Sequence, residues 1–342
     1  MVPMTEADAR SRPKAPDSAL LDRATEKTRL ILGWGDDEPV SWRVVDTIER
    51  PRSTIFRLVS VGTTEEGAEI FYKVSHSPID SSPRRERWEN THAEGLSRTP
   101  ALDEKLAGLT AGEAITFSRA LAVDPATLTL VTLGVDGAPV GKVSRHFVTR
   151  ARGARLVAAL RVAGRAARLI EDCAPPGIEA DREVLARAIE RRTERARAVL
   201  PAATVDELRR RMTALDDEVL AQPGAMVYAH GDFSSSNILL RPDGIGLIDF
   251  TWSPRMRGFD VAHLAFRVAY ETGASATRTD PLVAALLAGY GDPGLPDRPN
   301  WWAVRLPRLL KLVELGTGPR QVRHRRGAER AVSEIERFLG RG

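Results

Sequence analysis

Residues 230–250 read HGDFSSSNILLRPDGIGLIDF, and this stretch decides the fold. Residues 238–240 are apolar and predict a short buried strand, and residues 245–248 predict a returning strand. Between them, Arg-Pro-Asp-Gly predicts a turn in which Gly244 is free to adopt a positive φ. The stretch is therefore expected to form a loop followed by a β-hairpin.

Three oxygen-bearing side chains lie on this unit. Asp232 and Asn237 are five positions apart, so one loop can present both, and the returning strand leads to Asp249. Phosphoryl transfer from a nucleotide uses one carboxylate to orient the attacking hydroxyl and oxygen ligands to hold Mg²⁺ against the phosphates. The Asp-Gly pair at 243–244 alone would indicate no more than a hairpin.

The run resembles the catalytic and metal-binding loops of the aminoglycoside phosphotransferase and choline kinase family, a branch of the protein-kinase-like fold. That family has His-Gly-Asp, four residues, Asn, and then a hairpin ending in Ile-Asp-Phe or Ile-Asp-Trp. The resemblance implies that Asp232 is the catalytic base, that Asn237 and Asp249 bind Mg²⁺, and that His230 is structural. ATP or GTP would be the co-substrate.

Other residues favour the small-molecule branch over protein kinases. Gly231 stands where protein kinases have Arg, Thr251 follows Asp-Phe, and no Ala-Pro-Glu occurs. Asp260 lies in Asp-Val-Ala, which resembles the family's Asp-x-Ala element and implies a residue that braces the catalytic loop. As a helix N-cap alone, this Asp would contribute ~1 kcal/mol.

Composition excludes several other classes. The 342 residues include 42% apolar and 28% charged residues, which is ordinary for a globular protein, and the net charge is +4. Residues 301–342 contain ten Arg or Lys and four Asp or Glu, so they carry +6 and the rest of the chain −2. With few aromatic residues and no zinc or RNA-binding signature, nucleic-acid binding is not expected. Cys173 is the only cysteine, which rules out an internal disulfide.

The domain organisation follows from changes in pattern. Residues 1–18 are polar, lack the apolar core of a signal peptide and predict a disordered tail. No run of ~18 apolar residues occurs, so no membrane span is expected and the cytoplasm is the expected location. We assign residues 19–133 to a nucleotide-binding lobe and residues 134–342 to a catalytic and acceptor-binding lobe.

The resemblance implies an α+β fold of two lobes. The N-terminal lobe would hold an antiparallel sheet with one main helix, and the C-terminal lobe would be mostly helical. The residue patterns agree, because they predict a helix over 20–32, strands over 42–48, 55–61, 69–74, 119–124 and 127–133, a helix over 83–96, and mainly helices after residue 147.

The first lobe supplies the candidate nucleotide-binding residues. Lys73 interrupts an apolar strand, and a buried ammonium requires an anionic partner; a solvated outer face is the alternative. The resemblance implies that Lys73 contacts the phosphates and pairs with a helix Glu, for which Glu94 is preferred over Glu89 and Glu86. Ser53 and Thr54 of the hairpin at 50–54 could donate to phosphate oxygens, and the backbone from Val131 to Leu133 is the predicted purine-binding linker.

The proposed reaction is γ-phosphoryl transfer to a hydroxyl of a small molecule such as a sugar, a nucleoside-type or another secondary metabolite. The basic C-terminal helices favour a neutral or anionic acceptor, whereas three carboxylates keep an aminoglycoside or related antibiotic open as acceptor. Tryptophans could stack on a sugar ring. The basic residues are Arg305, Arg308 and Lys311, the acidic ones Glu271, Asp280 and Asp292, and the tryptophans Trp252, Trp301 and Trp302.

Two other classes of function remain open. A non-catalytic, pseudokinase-like nucleotide-binding protein would be expected to have lost a catalytic carboxylate, and none is missing. A lipid-linked acceptor is suggested by seven Arg between residues 145 and 168, on a predicted amphipathic helix. A solvated helix face explains the same arginines.

Overall fold

The computed structural model describes residues 15–35, 39–50, 52–61, 68–77, 82–144, 150–175, 177–272, 280–317 and 321–340. Most of the predicted tail, 1–18, lies outside them. Its helices are α1 (Ser18–Leu32), α2 (Ser82–Thr110), α3 (Val140–Ser144), α4 (Arg150–Asp172), α5 (Arg182–Ala196), α6 (Ala202–Leu220), α7 (Phe259–Thr272), α8 (Pro281–Tyr290), α9 (Pro299–Thr317) and α10 (Gln321–Phe338), with a short 3-10 helix at Leu295–Asp297. The strands are β1 (Ser41–Arg50), β2 (Ser53–Val61), β3 (Glu69–Ser75), β4 (Ile115–Phe117), β5 (Ala120–Asp124), β6 (Thr129–Leu133), β7 (Ala138–Pro139), β8 (Met226–Ala229), β9 (Ile238–Arg241), β10 (Gly244–Leu247) and β11 (Ser253–Met256).

The chain divides into two compact units. The first comprises residues 1–112, 116–136 and 246–252, and the second comprises residues 113–115, 137–245 and 253–342. The predicted division after residue 133 lies close to the break after residue 136. The segment 246–252 belongs to the first unit, although the sequence had assigned it to the second.

The first unit is built on a five-stranded antiparallel sheet with the order β1-β2-β3-β6-β5. The predicted strands are confirmed, because apolar residues alternate with polar ones along β2 and β3 and turn one face inward. That face buries Phe56, Leu58, Ile70 and Val131, and Leu20 of α1 packs into the same core.

Helix α2 is longer than the sequence predicted. It was expected to end near residue 96, but it continues through Pro100 to Thr110. Proline removes one backbone donor from a helix interior and usually bends or ends it. The extension brings Asp103 to β5, where its carboxylate accepts from the Ala120 amide at 2.6 Å.

The second unit is mainly helical, as predicted. Strands β8 and β11 pair in antiparallel fashion, and four short strands form a sheet with the order β4-β10-β9-β7. A large apolar core packs α5, α6, α9 and α10 together around Leu208, Leu306 and Ile335. The predicted α+β class, an antiparallel N-terminal sheet followed by a helical C-terminal portion, is therefore confirmed.

The arginine-rich helix α4 buries one face and exposes the other. Leu156 and Ile170 lie in the core, while Arg155, Arg161 and Arg165 are exposed, and Arg165 reaches Glu113 at 3.2 Å. This is the arrangement of a solvated helix face. None of the helices in the described part of the chain is both long and apolar enough to cross a membrane.

Candidate active site

The catalytic loop is held from behind by Asp260. This carboxylate is fully buried at the start of α7 and accepts hydrogen bonds from the backbone amides of His230, at 2.7 Å, and Gly231, at 3.3 Å. Burial raises the pKa of Asp260, whereas His230, the two amides and Arg255 oppose the rise. The loop after β8 is thus fixed by a carboxylate that turns away from solvent.

Asp232 is exposed and has a fixed orientation. The side-chain amide of Asn237 donates to the Asp232 backbone oxygen at 3.0 Å and to its carboxylate at 3.1 Å. The Ser234 amide donates to the same backbone oxygen at 2.8 Å. A carboxylate presented to solvent by a rigid loop is suited to align a hydroxyl.

Neighbouring residues of the loop are buried. His230 is completely buried, and its ring lies edge-on to Phe233 with centroids 5.5 Å apart. Such burial suits the structural role that the resemblance implied for His230. Asn237 is only 8% exposed, and since its NH₂ group is used on Asp232, its amide oxygen remains available as a ligand.

Lys73 and Asp249 form an ion pair within the first unit. The ammonium of Lys73, on β3, donates to the Asp249 carboxylate, and both side chains are partly exposed. Asp249 has a φ of 65°, in the left-handed region that Asp tolerates better than most residues. The Lys73 ammonium, which interrupts the apolar strand, is therefore balanced by the Asp249 carboxylate.

The segment carrying Asp249 is anchored to the first unit by aromatic residues. Trp252 is fully buried and donates its indole N–H to Asp103 at 3.0 Å. Phe250 packs against Phe117 and Trp252, with ring centroids 5.9 and 5.1 Å away. These contacts explain why 246–252 belongs to this unit, and they make Trp252 a core residue rather than a stacking platform.

The predicted helix partner of Lys73 is corrected by the structure. Glu94 pairs with Arg98, and Glu89 with Arg85, while Glu86 is exposed. The residue of α2 that faces this site is His92, which reaches the Ser75 hydroxyl at 3.0 Å. Residues two apart on a helix point in nearly opposite directions, so Glu94 faces away when His92 faces the sheet.

His92 is a site residue that the sequence analysis missed. Burial lowers its pKa, Lys73 lowers it further, and Asp249 opposes the change. The imidazole is therefore neutral near Lys73. Finding His92 required knowing which face of α2 packs against β3, and the sequence alone does not show which face that is.

The hairpin at 50–54 differs from its predicted role. Ser53 and Thr54 are the first residues of β2 and are buried, and the Thr54 hydroxyl lies 3.1 Å from Glu49 and 2.9 Å from His76. Pro51 lies outside the described residues. The side chain of Thr54 is thus used within the sheet rather than offered to phosphates.

The predicted purine-binding linker also needs correction. Val131 is fully buried in β6, which pairs with both β3 and β5. The Leu133 amide donates to Arg119 O at 2.9 Å, and the Gly134 amide donates to Glu69 O at 2.7 Å. Strand pairing therefore engages the Leu133 amide of the predicted linker and the Gly134 amide that follows it.

Comparison with known proteins places the chain in a family. The sequence model of the phosphotransferase enzyme family matches residues 83–302, more than half of the chain. The protein belongs to this family. The resemblance inferred from residues 230–250 is confirmed, and no curated protein sequence matches the chain.

Solved structures are similar to this phosphotransferase at low identity. A choline/ethanolamine kinase family protein from Mesorhizobium loti is 15% identical, with coverage of 92% of this chain and 95% of that chain and a TM-score of 0.49. The GDP and kanamycin complex of APH(2'')-IIia is 13% identical, with coverage of 92% and 98% and a TM-score of 0.49. An aminoglycoside-3'-phosphotransferase of type VIII is 21% identical, with coverage of 84% and 98% and a TM-score of 0.42. These likenesses are too distant to assign an acceptor.

The predicted metal ligands of the phosphotransferase fit a hard divalent cation. Asn237 offers an amide oxygen and Asp249 a carboxylate. Among the described residues, no group of three or more His, Cys, Asp or Glu side chains is arranged to hold a metal. Mg²⁺ is commonly bound by one or two protein oxygens together with water and substrate phosphates, so the oxygens of these side chains are of a type that suits it.

The cations and carboxylates expected at the acceptor side are mostly paired. Arg305 is buried against Glu334, and Lys311 lies 3.0 Å from Glu314. Asp280 caps α8, and Asp292 pairs with Arg298 at 3.2 Å. The side chain of Glu271 lies outside the described residues. Trp301 is buried, and Trp302 packs on Phe338. Among Arg305, Arg308 and Lys311, Arg308 alone forms no ion pair with a carboxylate in the described part of the chain.

Proposed function

We propose that this phosphotransferase moves the γ-phosphoryl group of a nucleoside triphosphate to a hydroxyl of a small molecule. The observation that carries the proposal is the exposed Asp232 carboxylate, fixed by Asn237 on a loop that the buried Asp260 holds in place. A family whose chemistry is phosphoryl transfer needs such a group to align the acceptor oxygen.

Asp232 would act on the acceptor. Its carboxylate accepts a hydrogen bond from the hydroxyl and directs that oxygen at the γ-phosphorus. The new P–O bond forms as the bond to the β-phosphate oxygen breaks, and the hydroxyl proton passes to Asp232. The nucleoside diphosphate leaves with the electrons of the broken bond.

Lys73, Asn237 and Asp249 would serve the nucleotide. The Lys73 ammonium is held in place by Asp249 before the nucleotide arrives, and its charge suits the triphosphate. We propose Asn237 and Asp249 as the Mg²⁺ ligands. Asn237 and Asp249 would hold the ion, which would supply positive charge to offset that of the phosphates. ATP and GTP are both candidates for the co-substrate.

The acceptor is proposed to be neutral or anionic rather than polycationic. An aminoglycoside would need free carboxylates on the acceptor side, but Asp280 and Asp292 are already engaged in a helix cap and an ion pair. The arginines of α4 no longer favour a lipid-linked acceptor, because the exposed ones form an ordinary solvated helix face.

The test is a nucleotide-consumption assay against a panel of hydroxyl compounds, with products read by mass spectrometry as the gain of one phosphoryl group. The panel contains neutral sugars, nucleosides, sugar phosphates and aminoglycosides, each tried with ATP and GTP. The Asp232→Asn variant is the control for contaminating kinases. If no panel member gains a phosphoryl group and nucleotide binding is also absent, the non-catalytic alternative fails as well.

A further inference from the structure

Two arginines of the second unit lie over one aromatic ring, and a third contacts the helix that carries one of them. The Arg308 guanidinium of α9 lies 4.7 Å from the centre of the Phe259 ring, and that of Arg255, on β11, lies 5.2 Å from it. Arg192 of α5 reaches the same helix, since it donates to the Pro307 backbone oxygen at 3.0 Å. We call Arg192, Arg255 and Arg308 the arginine cluster.

The cluster lacks carboxylate partners. Within the described residues, each guanidinium donates only to a backbone oxygen: Arg192 to Pro307, Arg255 to Pro254 at 3.0 Å, and Arg308 to Val304 at 2.7 Å. Elsewhere in this unit arginines are commonly paired, as Arg305 is with Glu334. Within the described residues, no ion pair is formed by any member of the arginine cluster.

All three side chains are half-buried, and this makes the missing partners costly. A charge removed from water loses hydration that only an opposite charge or strong acceptors can replace. Burial lowers the pKa of Arg255 and Arg192. Each of the three side chains nevertheless keeps part of its surface exposed.

The pKa of His263 is lowered by its burial and by the positive charges of the cluster. Burial lowers the pKa of His263 to about 2, and Arg308, Arg267, His230 and Arg255 all contribute. Its Nδ1 atom is buried and has no hydrogen-bond partner in the described part of the chain. The imidazole is therefore neutral, because a further positive charge cannot be accommodated there.

Two members of the arginine cluster lie over the Phe259 ring, and the next residue, Asp260, accepts hydrogen bonds from the catalytic-loop amides of His230 and Gly231. Burial lowers the pKa of Arg308 to about 9, with Arg192 and Arg255 acting in the same direction and the carboxylates of Asp260 and Asp232 opposing them. Asp260 is committed to the loop amides. Asp232 is exposed and belongs to the same unit as the cluster.

We propose that Arg192, Arg255 and Arg308 form a subsite for an oxyanion, a phosphate or carboxylate group, on the acceptor molecule. The inference rests on the proposed function, because it assigns a substrate class to the site that contains Asp232. Guanidinium groups present paired N–H donors that match phosphate and carboxylate oxygens. With its anionic group held there, the acceptor would extend its hydroxyl towards Asp232.

The first test measures inorganic phosphate binding by calorimetry, with Mg-ADP present to occupy the nucleotide side. Arg308→Gln and Arg255→Gln each remove one cluster charge, and Arg337→Gln removes an exposed charge from α10 as a matched control. We expect each cluster variant to weaken phosphate binding by roughly 10-fold to 100-fold, as the loss of a charged hydrogen bond implies. The Arg337→Gln variant should bind phosphate like the parent protein.

Absence of phosphate binding in the parent protein, or equal binding in all four proteins, would overturn the subsite. Two cluster variants are used so that a folding failure of one, seen by circular dichroism, leaves the other to decide. Acetate in place of phosphate distinguishes a carboxylate-binding site from a phosphate-binding one.

The second test separates the subsite from the proposed function. Ribose and ribose 5-phosphate are compared as acceptors in the parent protein and in Arg308→Gln. If the subsite exists, KM for ribose 5-phosphate rises in the variant by a larger factor than KM for ribose, so the preference for the phosphorylated acceptor falls. Transfer to neutral acceptors combined with cluster-independent phosphate binding would refute the subsite alone. Cluster-dependent phosphate binding without transfer to any acceptor would refute the proposed function alone.

Discussion

Asp232 is the residue on which the proposed reaction depends most directly. The Asp232→Asn variant keeps the shape of the side chain but removes its charge and its ability to accept the hydroxyl proton. We expect the transfer rate to fall by about 10²–10⁴, with nucleotide affinity changed only a few-fold because Asp232 serves the acceptor. Steady-state kinetics and nucleotide titration measure the two effects.

Asp243→Asn is the matched control for that experiment. Asp243 lies in the turn between β9 and β10, is exposed and pairs with Arg241 at 3.0 Å. The same substitution there should leave the rate unaltered. Near-normal turnover in Asp232→Asn would show that the exposed carboxylate does not take part.

Asp249 combines a strained backbone with a charge partner. Its φ of 65° is uncommon for a residue with a Cβ, and such conformations tend to be kept at functional sites. We expect Asp249→Ala to abolish the dependence of nucleotide binding on Mg²⁺ and to leave Lys73 without its carboxylate. Calorimetry with ADP in the presence and absence of Mg²⁺ provides the measurement. A magnesium dependence equal to that of the parent protein would reduce Asp249 to a partner of Lys73.

The close approach of α4 and α8 depends on two glycines. A Cβ on Gly289 would lie 1.8 Å from the Arg161 backbone oxygen, and one on Gly164 would lie 2.0 Å from the Leu286 oxygen. We expect Gly289→Ala to destabilise the protein by ~1–3 kcal/mol or more, because the helices must separate. A lowered Tm in thermal unfolding would show it.

Gly108→Ala is the control, since Gly108 is helical and a Cβ there meets nothing within 4 Å. That change should raise stability by ~0.4–1 kcal/mol by restricting the unfolded chain. Equal Tm values for the two alanine variants would contradict the tight packing of α4 on α8.

A buried carboxylate joins three helices of the second unit. Glu171 of α4 accepts from the Tyr290 hydroxyl at 2.6 Å and from the Gly258 amide at 2.6 Å, just before α7, and Arg257 lies 3.3 Å away. Burial raises the pKa of Glu171 to about 7, and these three partners oppose the rise. The carboxyl therefore holds a proton in the folded protein at pH values where the unfolded chain has lost it.

This raised pKa sets a direction for stability against pH. The folded state binds more protons than the unfolded state between pH ~4.5 and ~7, so the contribution of Glu171 is lost as the pH rises through that window. The loss is on the order of 3 kcal/mol at most. We expect Glu171→Gln to show a flatter dependence of Tm on pH over this range. Parallel Tm profiles would contradict the assignment.

The elements were predicted well where local pattern determines them. Alternation identified β2 and β3, and the predicted turn at 241–244 lies between β9 and the first residue of β10, Gly244, which has a φ of 148°. Helix α2 was predicted too short, because Pro100 is a stop signal that tertiary contacts around Asp103 override. The sequence could not show whether the backbone amides from Val131 to Leu133 are free, because the local pattern does not reveal that β6 pairs with two strands, β3 and β5.

At the scale of the whole molecule, the sequence revealed residue types but not their spatial pairing. Asp232 and Asn237 were predicted from one motif because a short loop fixes their spacing, and Asp260 was predicted from a second motif that begins ten residues after Phe250. The net charge of +6 over residues 301–342 was a weaker indicator, because Glu334 and Glu314 neutralise Arg305 and Lys311. The positive charge near the proposed acceptor site comes from Arg192, Arg255 and Arg308. These residues lie on α5, β11 and α9, so no single stretch of sequence contains all three.

That charge distribution predicts the order of acceptors. A kanamycin-like polyamine near Asp232 would meet the arginine cluster, and each like-charge contact at ~4 Å costs ~1 kcal/mol in water and more where solvent is excluded. Neutral and anionic hydroxyl compounds avoid this cost, so we expect their kcat/KM to exceed that of aminoglycosides by at least ~10-fold, since ~1.4 kcal/mol corresponds to one factor of ten. Raising the salt concentration should narrow the gap, because screening weakens repulsion between exposed charges. Efficient phosphorylation of an aminoglycoside, accompanied by resistance in cells that express the protein, would show instead that its amines bind away from the cluster and would make antibiotic modification the preferred function.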